Sequence, residues 1–247
     1  MELLAEFQSA AFWNGLLIII WVNVILSGDN AVVIALAARS LSPHQQKKAV
    51  AWGAGAAVIL RIVLTIVAVS LLTLPYLKIV GGLALFWIAI GLLVPDDGGE
   101  NVDSPDNMFL AIKTILIADL VMSVDNVIAV AAAAKGSLLL LILGLGISIP
   151  LVIFGATLLM KLMEKFPVII TAGAGILGWV AGEMLVTDPA LVEWIATSMP
   201  WMHIHTPFGE LTWAQITGVF FVIGVGKWLA SRKHGGDEKS TEVEKAD

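Results

Sequence analysis

Seven apolar segments, each about as long as a bilayer is thick, dominate this sequence of 247 residues. They lie at 11–38, 49–73, 75–94, 108–134, 137–160, 166–186 and 213–231. A helix of about 20 apolar residues crosses the hydrocarbon core of a membrane. Because 58% of the residues are hydrophobic and 14% are charged, a water-soluble domain is excluded. The sequence predicts an all-α, polytopic transmembrane helix bundle of seven spans, with the lipid bilayer as its surroundings.

The basic residues near or beyond the ends of these segments are distributed unevenly between the two sides of the membrane. One side has only Lys78 and Lys135. The other has Arg39, Lys47, Lys48, Lys113, Lys161, Lys165, Lys227, Arg232 and Lys233. Because Lys and Arg accumulate on the cytoplasmic side, we predict a multi-pass protein of the plasma (inner) membrane. Its N-terminus is outside and its C-terminus is cytoplasmic.

Two halves of the chain repeat one pattern. SGDNAVVIALAAR at 27–39 matches SVDNVIAVAAAAK at 123–135 without a gap, and WIAIGLLV at 87–94 matches WVAGEMLV at 179–186. Each half has three spans, and an odd number turns the second copy over in the membrane. We therefore predict two inverted three-helix repeats plus a seventh helix.

These repeats divide a single transmembrane domain that covers residues 1–247. Its parts are repeat one at 11–94, an acidic loop at 95–107, repeat two at 108–186, an outer loop at 187–212, the seventh span at 213–231 and a polar tail at 232–247. The tail HGGDEKSTEVEKAD is polar enough to be expected to be disordered.

Three carboxylates lie well within spans one and four, namely Asp29, Asp119 and Asp125. Each is unfavourable there by roughly 2.5–3.5 kcal/mol on insertion scales, and nothing structural requires three of them. Intramembrane acids are typical of ion pathways and proton relays. A functional site is therefore predicted here.

Polar residues in the two copies form matching stripes at helical spacing. The stripes consist of Asn23, Ser27 and Asn30 in the first copy and Asp119, Ser123 and Asn126 in the second. Asp29 and Asp125 lie about 100° from these stripes in a regular helix. They join them only if the helix breaks at the Ser-x-Asp-Asn step, which Gly28 favours in the first copy and Val124 opposes in the second.

Carboxylate and amide oxygens, without thiolate or imidazole in the spans, suit a hard divalent cation such as Mn²⁺, Mg²⁺ or Ca²⁺. The same acids are also suited to relaying protons. Arg61, the one basic residue deep in a span, has no charged counterpart in the other copy. This favours a counter-ion or gating role, with a purely structural pair to the carboxylates, or snorkelling, as alternatives. Glu183, near the outer end of span six, is either an interfacial carboxylate or part of an exit path.

The motifs SGDN at 27–30 and SVDN at 123–126, with Asp119 and the seven-span layout, resemble the TerC family of integral membrane proteins over nearly the whole chain. The resemblance implies metal handling, chiefly manganese efflux from the cytoplasm. It implies as metal ligands Asp29, Asn30, Asp119, Asp125 and Asn126. Secondary candidates are Asn23, Ser27, Ser123, Arg61 and Glu183. Asn23 stands where the second copy has Asp119, which leaves one or two bound ions open.

The expected function is therefore export of a divalent metal ion, most specifically Mn²⁺, by a transporter that is not an enzyme. An exporter of an organic cation or amino acid is one alternative. Another is a non-transporting membrane scaffold in the response to metal or tellurite stress. An intramembrane enzyme with an aspartate dyad would be a third class, but its glycine spacing is missing. No tightly bound cofactor and no nucleic-acid partner are expected, and homo-oligomerisation is left open.

Overall fold

The computed structural model describes residues 10–71, 74–94, 105–134, 137–206 and 209–244, except for some side chains within them. The helices are α1 (Ala10–Leu26), α2 (Gly28–Ala38), α3 (Pro43–Leu71), α4 (Leu77–Leu93), α5 (Pro105–Ala134), α6 (Leu138–Lys165), α7 (Val168–Val186), α8 (Val192–Ser198), a 3₁₀ turn (Pro200–Met202) and α9 (Trp213–Glu244). Two short strands, β1 (His203–Thr206) and β2 (Gly209–Thr212), lie between the 3₁₀ turn and α9.

Most of the predicted spans are present as helices of sufficient length. In the described residues, α3, α5, α6, α7 and α9 are each long and apolar enough to cross a membrane, and α1 with α2 makes a sixth span if the bent pair counts as one. Helix α4 is apolar but has only 17 residues, about 25 Å at the helical rise. The fold is therefore an all-α membrane bundle, and the total of seven spans stays a prediction.

The first span is broken at the Ser-x-Asp-Asn step. Helix α1 ends at Leu26, Ser27 has φ −107° and ψ 6°, and α2 starts at Gly28. The two helices meet at an angle of 51°. Helix α5 runs without a break through Ser123 and Asn126. The break at the Ser-x-Asp-Asn step of the first motif is confirmed, with Ser27 rather than Gly28 outside the helices, and the helix beside Val124 is continuous.

Helices from the first part of the chain pack mainly against helices from the second part. Helix α3 lies against α5, while α6 lies against α1 and α2, and α4 packs on α7. Helix α9 covers α7 and, less closely, α4. The short helix α2 is at the centre, because every residue from Asn30 to Ala38 is buried.

Glycines permit the closest of these contacts, that of α7 with α9. A Cβ atom at Gly178 would meet the carbonyl oxygen of Gly218, and one at Gly218 would meet that of Gly178. Likewise, a Cβ atom at Gly182 would meet the carbonyl of Ala214. Small residues at helix interfaces are the usual way in which membrane helices bring their backbones together.

Two predicted non-helical segments contain regular structure. The outer loop folds into α8 and an antiparallel hairpin in which Ile204 pairs with Leu211. The prediction of a disordered tail is wrong as far as Glu244, because α9 continues to that residue. Extending a formed helix is much easier than nucleating one, and Glu and Lys in the tail are good helix formers. Residues 95–104 of the acidic loop lie outside the described residues.

Candidate functional site

A buried arginine lies at the centre of the polar residues. Arg61 projects from α3, is 3% exposed, and donates hydrogen bonds to residues of two other spans. Its Nη2 is 2.6 Å from Oδ1 of Asp119 and its Nε is 3.1 Å from Oγ of Ser123. Its Nη1 donates to Oδ1 of Asn23 at 2.7 Å and to Oγ of Ser27 at 2.9 Å.

Helical spacing explains why these acceptors converge. Asp119 and Ser123 are four residues apart on α5 and therefore lie on one face, and Ser123 donates to Oδ2 of Asp119 at 3.2 Å. Asn23 and Ser27 are also four apart, and Ser27 donates to Oδ1 of Asn23 at 3.4 Å. The two predicted polar stripes thus meet across Arg61.

Ser148 of α6 completes this cluster from a third direction. The amide nitrogen of Asn23 donates to its Oγ, which donates in turn to the carbonyl of Leu145 at 2.7 Å. The serine is fully buried. The sequence pattern does not mark Ser148 as a site residue, because it is a single small hydroxyl in a long apolar helix. Its contact with α1 arises only from tertiary packing.

We name Asn23, Ser27, Arg61, Asp119 and Ser123 the arginine cluster. Its guanidinium and carboxylate both lie almost entirely out of solvent, with side chains 4% and 8% exposed. Such a pair is stable only if good geometry and further hydrogen bonds offset the loss of hydration. The added bonds from Asn23, Ser27 and Ser123 meet this condition. The structure therefore shows an ion pair between Arg61 and Asp119, and the role of that pair stays a prediction.

A second buried polar group, at the helix break, lacks hydrogen-bond partners of this kind among the described residues. Asn30 is 3% exposed, and neither its amide nitrogen nor its amide oxygen has a hydrogen-bond partner among the described residues. A buried polar group without a partner costs about 1–3 kcal/mol, so unpaired amides are rare in folded proteins. We name Asn30 and Asp29 the break site.

Asp29 lies beside this amide in the first turn of α2. It is half-buried, and its Oδ1 accepts a hydrogen bond from the backbone N–H of Asn30 at 2.8 Å. It is also within electrostatic reach of Arg61 and Asp119. The break site and the arginine cluster are therefore neighbouring parts of one polar region.

Helix α5 stabilises the break between α1 and α2. The amide nitrogen of Asn126 on α5 donates to the carbonyl of Leu26 at 3.1 Å. This carbonyl is the last of α1, and the break removes its partner in a continuous helix. Asn126 thus acts as a cap supplied by another span.

The remaining predicted site residues have separate outcomes. Asp125 is on α5, but its side chain lies outside the described residues, so its role as a ligand stays a prediction. Glu183 is exposed and accepts a hydrogen bond from Nε2 of Gln215 at 3.0 Å, away from the arginine cluster. Within the described side chains, no three His, Asp or Glu residues form a group that could hold a metal ion.

A second buried carboxylate lies beyond the end of α7. Asp188 accepts from the N–H groups of Tyr76 at 2.9 Å, Lys78 at 3.0 Å, Ile79 at 3.2 Å and Ala190 at 2.8 Å. It thereby caps the start of α4. Burial by itself raises the pKa of Asp188, but these four donors outweigh it, and the pKa lies below its ordinary value of 3.8.

Known proteins are similar in sequence to this chain over most of its length. The model of the integral membrane protein TerC family matches residues 8–234. The uncharacterized membrane protein YjbE of Bacillus subtilis (strain 168) is 43% identical over 73% of this chain and 83% of its own. YkoY of the same organism, also named an uncharacterized membrane protein, is 27% identical over 87% of this chain and 71% of its own. No solved structure gives a significant match.

Proposed function

Since this chain belongs to the TerC family of integral membrane proteins, we propose that it exports a divalent metal ion, Mn²⁺ above all, from the cytoplasm. The ion passes through the break site and the arginine cluster, at the interface of two inverted repeats. The observation that carries this proposal is the buried amide of Asn30, which has no partner among the described residues and lies beside Asp29.

The chemistry of the polar region supports a hard cation as the substrate. Asp29 and Asn30 offer carboxylate and amide oxygens, and the arginine cluster adds another carboxylate, an amide oxygen and hydroxyls. Oxygen ligands of this kind suit Mn²⁺, Mg²⁺ and Ca²⁺. The ligand set proposed for transport is Asp29, Asn30, Asp119, Asp125 and Asn126.

The packing of the helices supports inverted repeats. If residues 11–94 and 108–186 are copies, α3 corresponds to α6, and α1 with α2 corresponds to α5. Helix α3 packs on α5 while α6 packs on α1 and α2, and the third helices, α4 and α7, pack on each other. A two-fold axis in the membrane plane produces this exchange of partners, and transporters bind their substrates at such an interface.

The apolar lining of the cavity beside α5 argues against an organic cation as the substrate. The cavity beside α5 has a volume of about 230 Å³, but Leu64, Val121, Met184 and its other lining residues are all apolar. An organic cation needs polar or aromatic partners in a pocket of comparable size. The described polar groups instead lie close to one another, as suits a single small ion.

Uptake by inside-out vesicles tests the proposal, because export then appears as accumulation of Mn²⁺ that an internal dye reports. Asn30→Leu and Asp29→Asn should each lower the initial rate about tenfold or more, since even indirect partners of a metal contribute about that much affinity. Asn14→Leu is the matched control, because Asn14 is an exposed asparagine of the same span. Its rate should equal that of the wild type.

The same vesicles distinguish the alternatives. Faster flux of Ca²⁺ or Mg²⁺ than of Mn²⁺ would keep the mechanism but replace the substrate. Absence of divalent flux through folded wild-type protein would refute transport of these ions. Full Mn²⁺ flux in both Asn30→Leu and Asp29→Asn would place the pathway elsewhere in the chain.

A further inference from the structure

The oxygens that surround Arg61 are those that a divalent cation would take as ligands. The guanidinium is held by the carboxylate of Asp119, the amide oxygen of Asn23 and the hydroxyls of Ser27 and Ser123. These four oxygens come from two different spans and converge at 2.6–3.1 Å on one positive group. Octahedral oxygen sites are typical of Mg²⁺, Ca²⁺ and Mn²⁺.

We propose that Arg61 substitutes for the transported cation. Its guanidinium occupies the place of the ion in the empty carrier and is displaced when the ion arrives. This inference rests on the proposed function, because it assumes that a divalent ion uses the arginine cluster. It assigns to Arg61 the control of when the empty protein can change conformation.

The charge of the cluster gives the physical reason. With the guanidinium in place, Arg61 and Asp119 together have no net charge, and both lie out of solvent. Without the guanidinium, Asp119 would be an uncompensated carboxylate in the membrane core, which is strongly unfavourable. A carrier that must return empty therefore needs a cation of its own at this position.

The position of Ser27 connects this exchange to the helix break. Its hydroxyl accepts from Nη1 of Arg61 at 2.9 Å, and its backbone is the junction between α1 and α2. Asp29 and Asn30, whose amide has no hydrogen-bond partner among the described residues, follow within three residues. An ion bound at the break site thus lies next to the guanidinium that it must displace, and like charges at short range repel.

Two fluxes in proteoliposomes separate this role from a structural one. Net uptake of Mn²⁺ requires the empty protein to return, whereas exchange of radioactive Mn²⁺ against internal Mn²⁺ does not. In Arg61→Gln, net uptake should fall at least tenfold while exchange stays within about twofold of the wild type. The Kd for Mn²⁺ in detergent should decrease about tenfold, because a competing positive charge has been removed.

Two further variants keep the test decisive. Lys161→Gln removes an exposed cation at the end of α6 and should leave both fluxes unchanged. Arg61→Lys retains the charge with fewer donors, so its net uptake should lie between those of the wild type and Arg61→Gln. If Arg61→Gln does not fold, Arg61→Lys decides, because it should lower net uptake more than exchange.

Three outcomes would overturn the inference. One is wild-type net uptake in Arg61→Gln, and another is an equal loss of net uptake and exchange in the folded variants, which marks Arg61 as a structural tie. The third is weaker binding of Mn²⁺ by Arg61→Gln. If the wild type itself neither binds nor exchanges Mn²⁺, the proposed function fails first, and the two failures are thereby distinguished.

Discussion

Replacing Asp188 by asparagine should measurably destabilise the protein, although the residue lies outside the polar region of the spans. The carboxylate is fully buried and accepts four backbone hydrogen bonds, two on each oxygen. Asparagine has one acceptor oxygen, so it can keep two of these bonds. Its NH₂ group then faces two N–H groups that have lost their partner.

The magnitude follows from the bonds that are lost. Hydrogen bonds to a charged group contribute about 1.5–3 kcal/mol each. Taking the lower figure for each of two bonds, Asp188→Asn should reduce the free energy of unfolding by about 3 kcal/mol. For a chain of this length the melting temperature then falls by roughly 6–12 °C.

Thermal unfolding in detergent, followed by tryptophan fluorescence at neutral pH, measures this effect. Glu193→Gln is the matched control, because it removes an exposed carboxylate a few residues away and should leave the melting temperature unchanged. A melting temperature of Asp188→Asn within 2 °C of the wild type, where roughly 6–12 °C is expected, would refute the capping role.

The pH dependence of the stability tests the capping role of Asp188 independently. The pKa of Asp188 is lower in the folded protein than its ordinary value of 3.8, so folding favours the ionised form. Its contribution to stability is complete above the unfolded pKa and is lost as the pH falls through the folded pKa. Wild type should therefore lose its advantage over Asp188→Asn below the ordinary pKa. A difference in melting temperature that grows on acidification would contradict this.

Three further experiments test the packing, the backbone and the orientation. Gly178→Ala should reduce the free energy of unfolding by about 1–3 kcal/mol, because its Cβ meets a carbonyl of α9. Gly224→Ala is the control: its Cβ meets nothing within 4 Å and alanine favours the helix, so the free energy of unfolding should not fall. Tyr76→Gly should raise the free energy of unfolding by about 1 kcal/mol, since Tyr76 has φ 69° and an exposed side chain; unchanged or lower stability would contradict this. The chain has no cysteine, so an impermeant maleimide should label Glu193→Cys from outside the cell and Glu164→Cys only from the cytoplasmic side. The opposite result would invert the proposed orientation.

The helix bundle could be predicted from the sequence, because the length of an apolar segment and the helical spacing of its polar residues are local properties. The stripes of Asn23 with Ser27 and Asp119 with Ser123 were visible at helical spacing, and the structure confirms that they meet. The Ser-x-Asp-Asn step was recognisable as a place for a helix break, although the residue outside the two helices is Ser27 and not Gly28. The family resemblance carried by SGDN and SVDN is confirmed by the match over residues 8–234.

Other features depend on contacts between distant segments, which no local pattern reveals. Asp188 caps a helix that begins more than 100 residues earlier in the chain, and in the sequence it is only an acid in a loop. Ser148 reaches the cluster solely because α6 packs on α1. Arg61 was recognisable as unusual, but sequence left its role open between a counter-ion and a structural pair.

The glycine contact between α7 and α9 explains why α9 packs on α7 more closely than on α4. Continued by one residue, the match between 87–94 and 179–186 pairs Gly178 with Phe86 and Gly182 with Ile90. Helix α4 therefore has bulky side chains where α7 offers bare backbone, and Phe86 itself lies within 3.3 Å of a Cβ built at Gly218. The match between the two segments thus does not extend to the surface that receives α9, and within the described residues this close backbone contact is found on α7 rather than on α4.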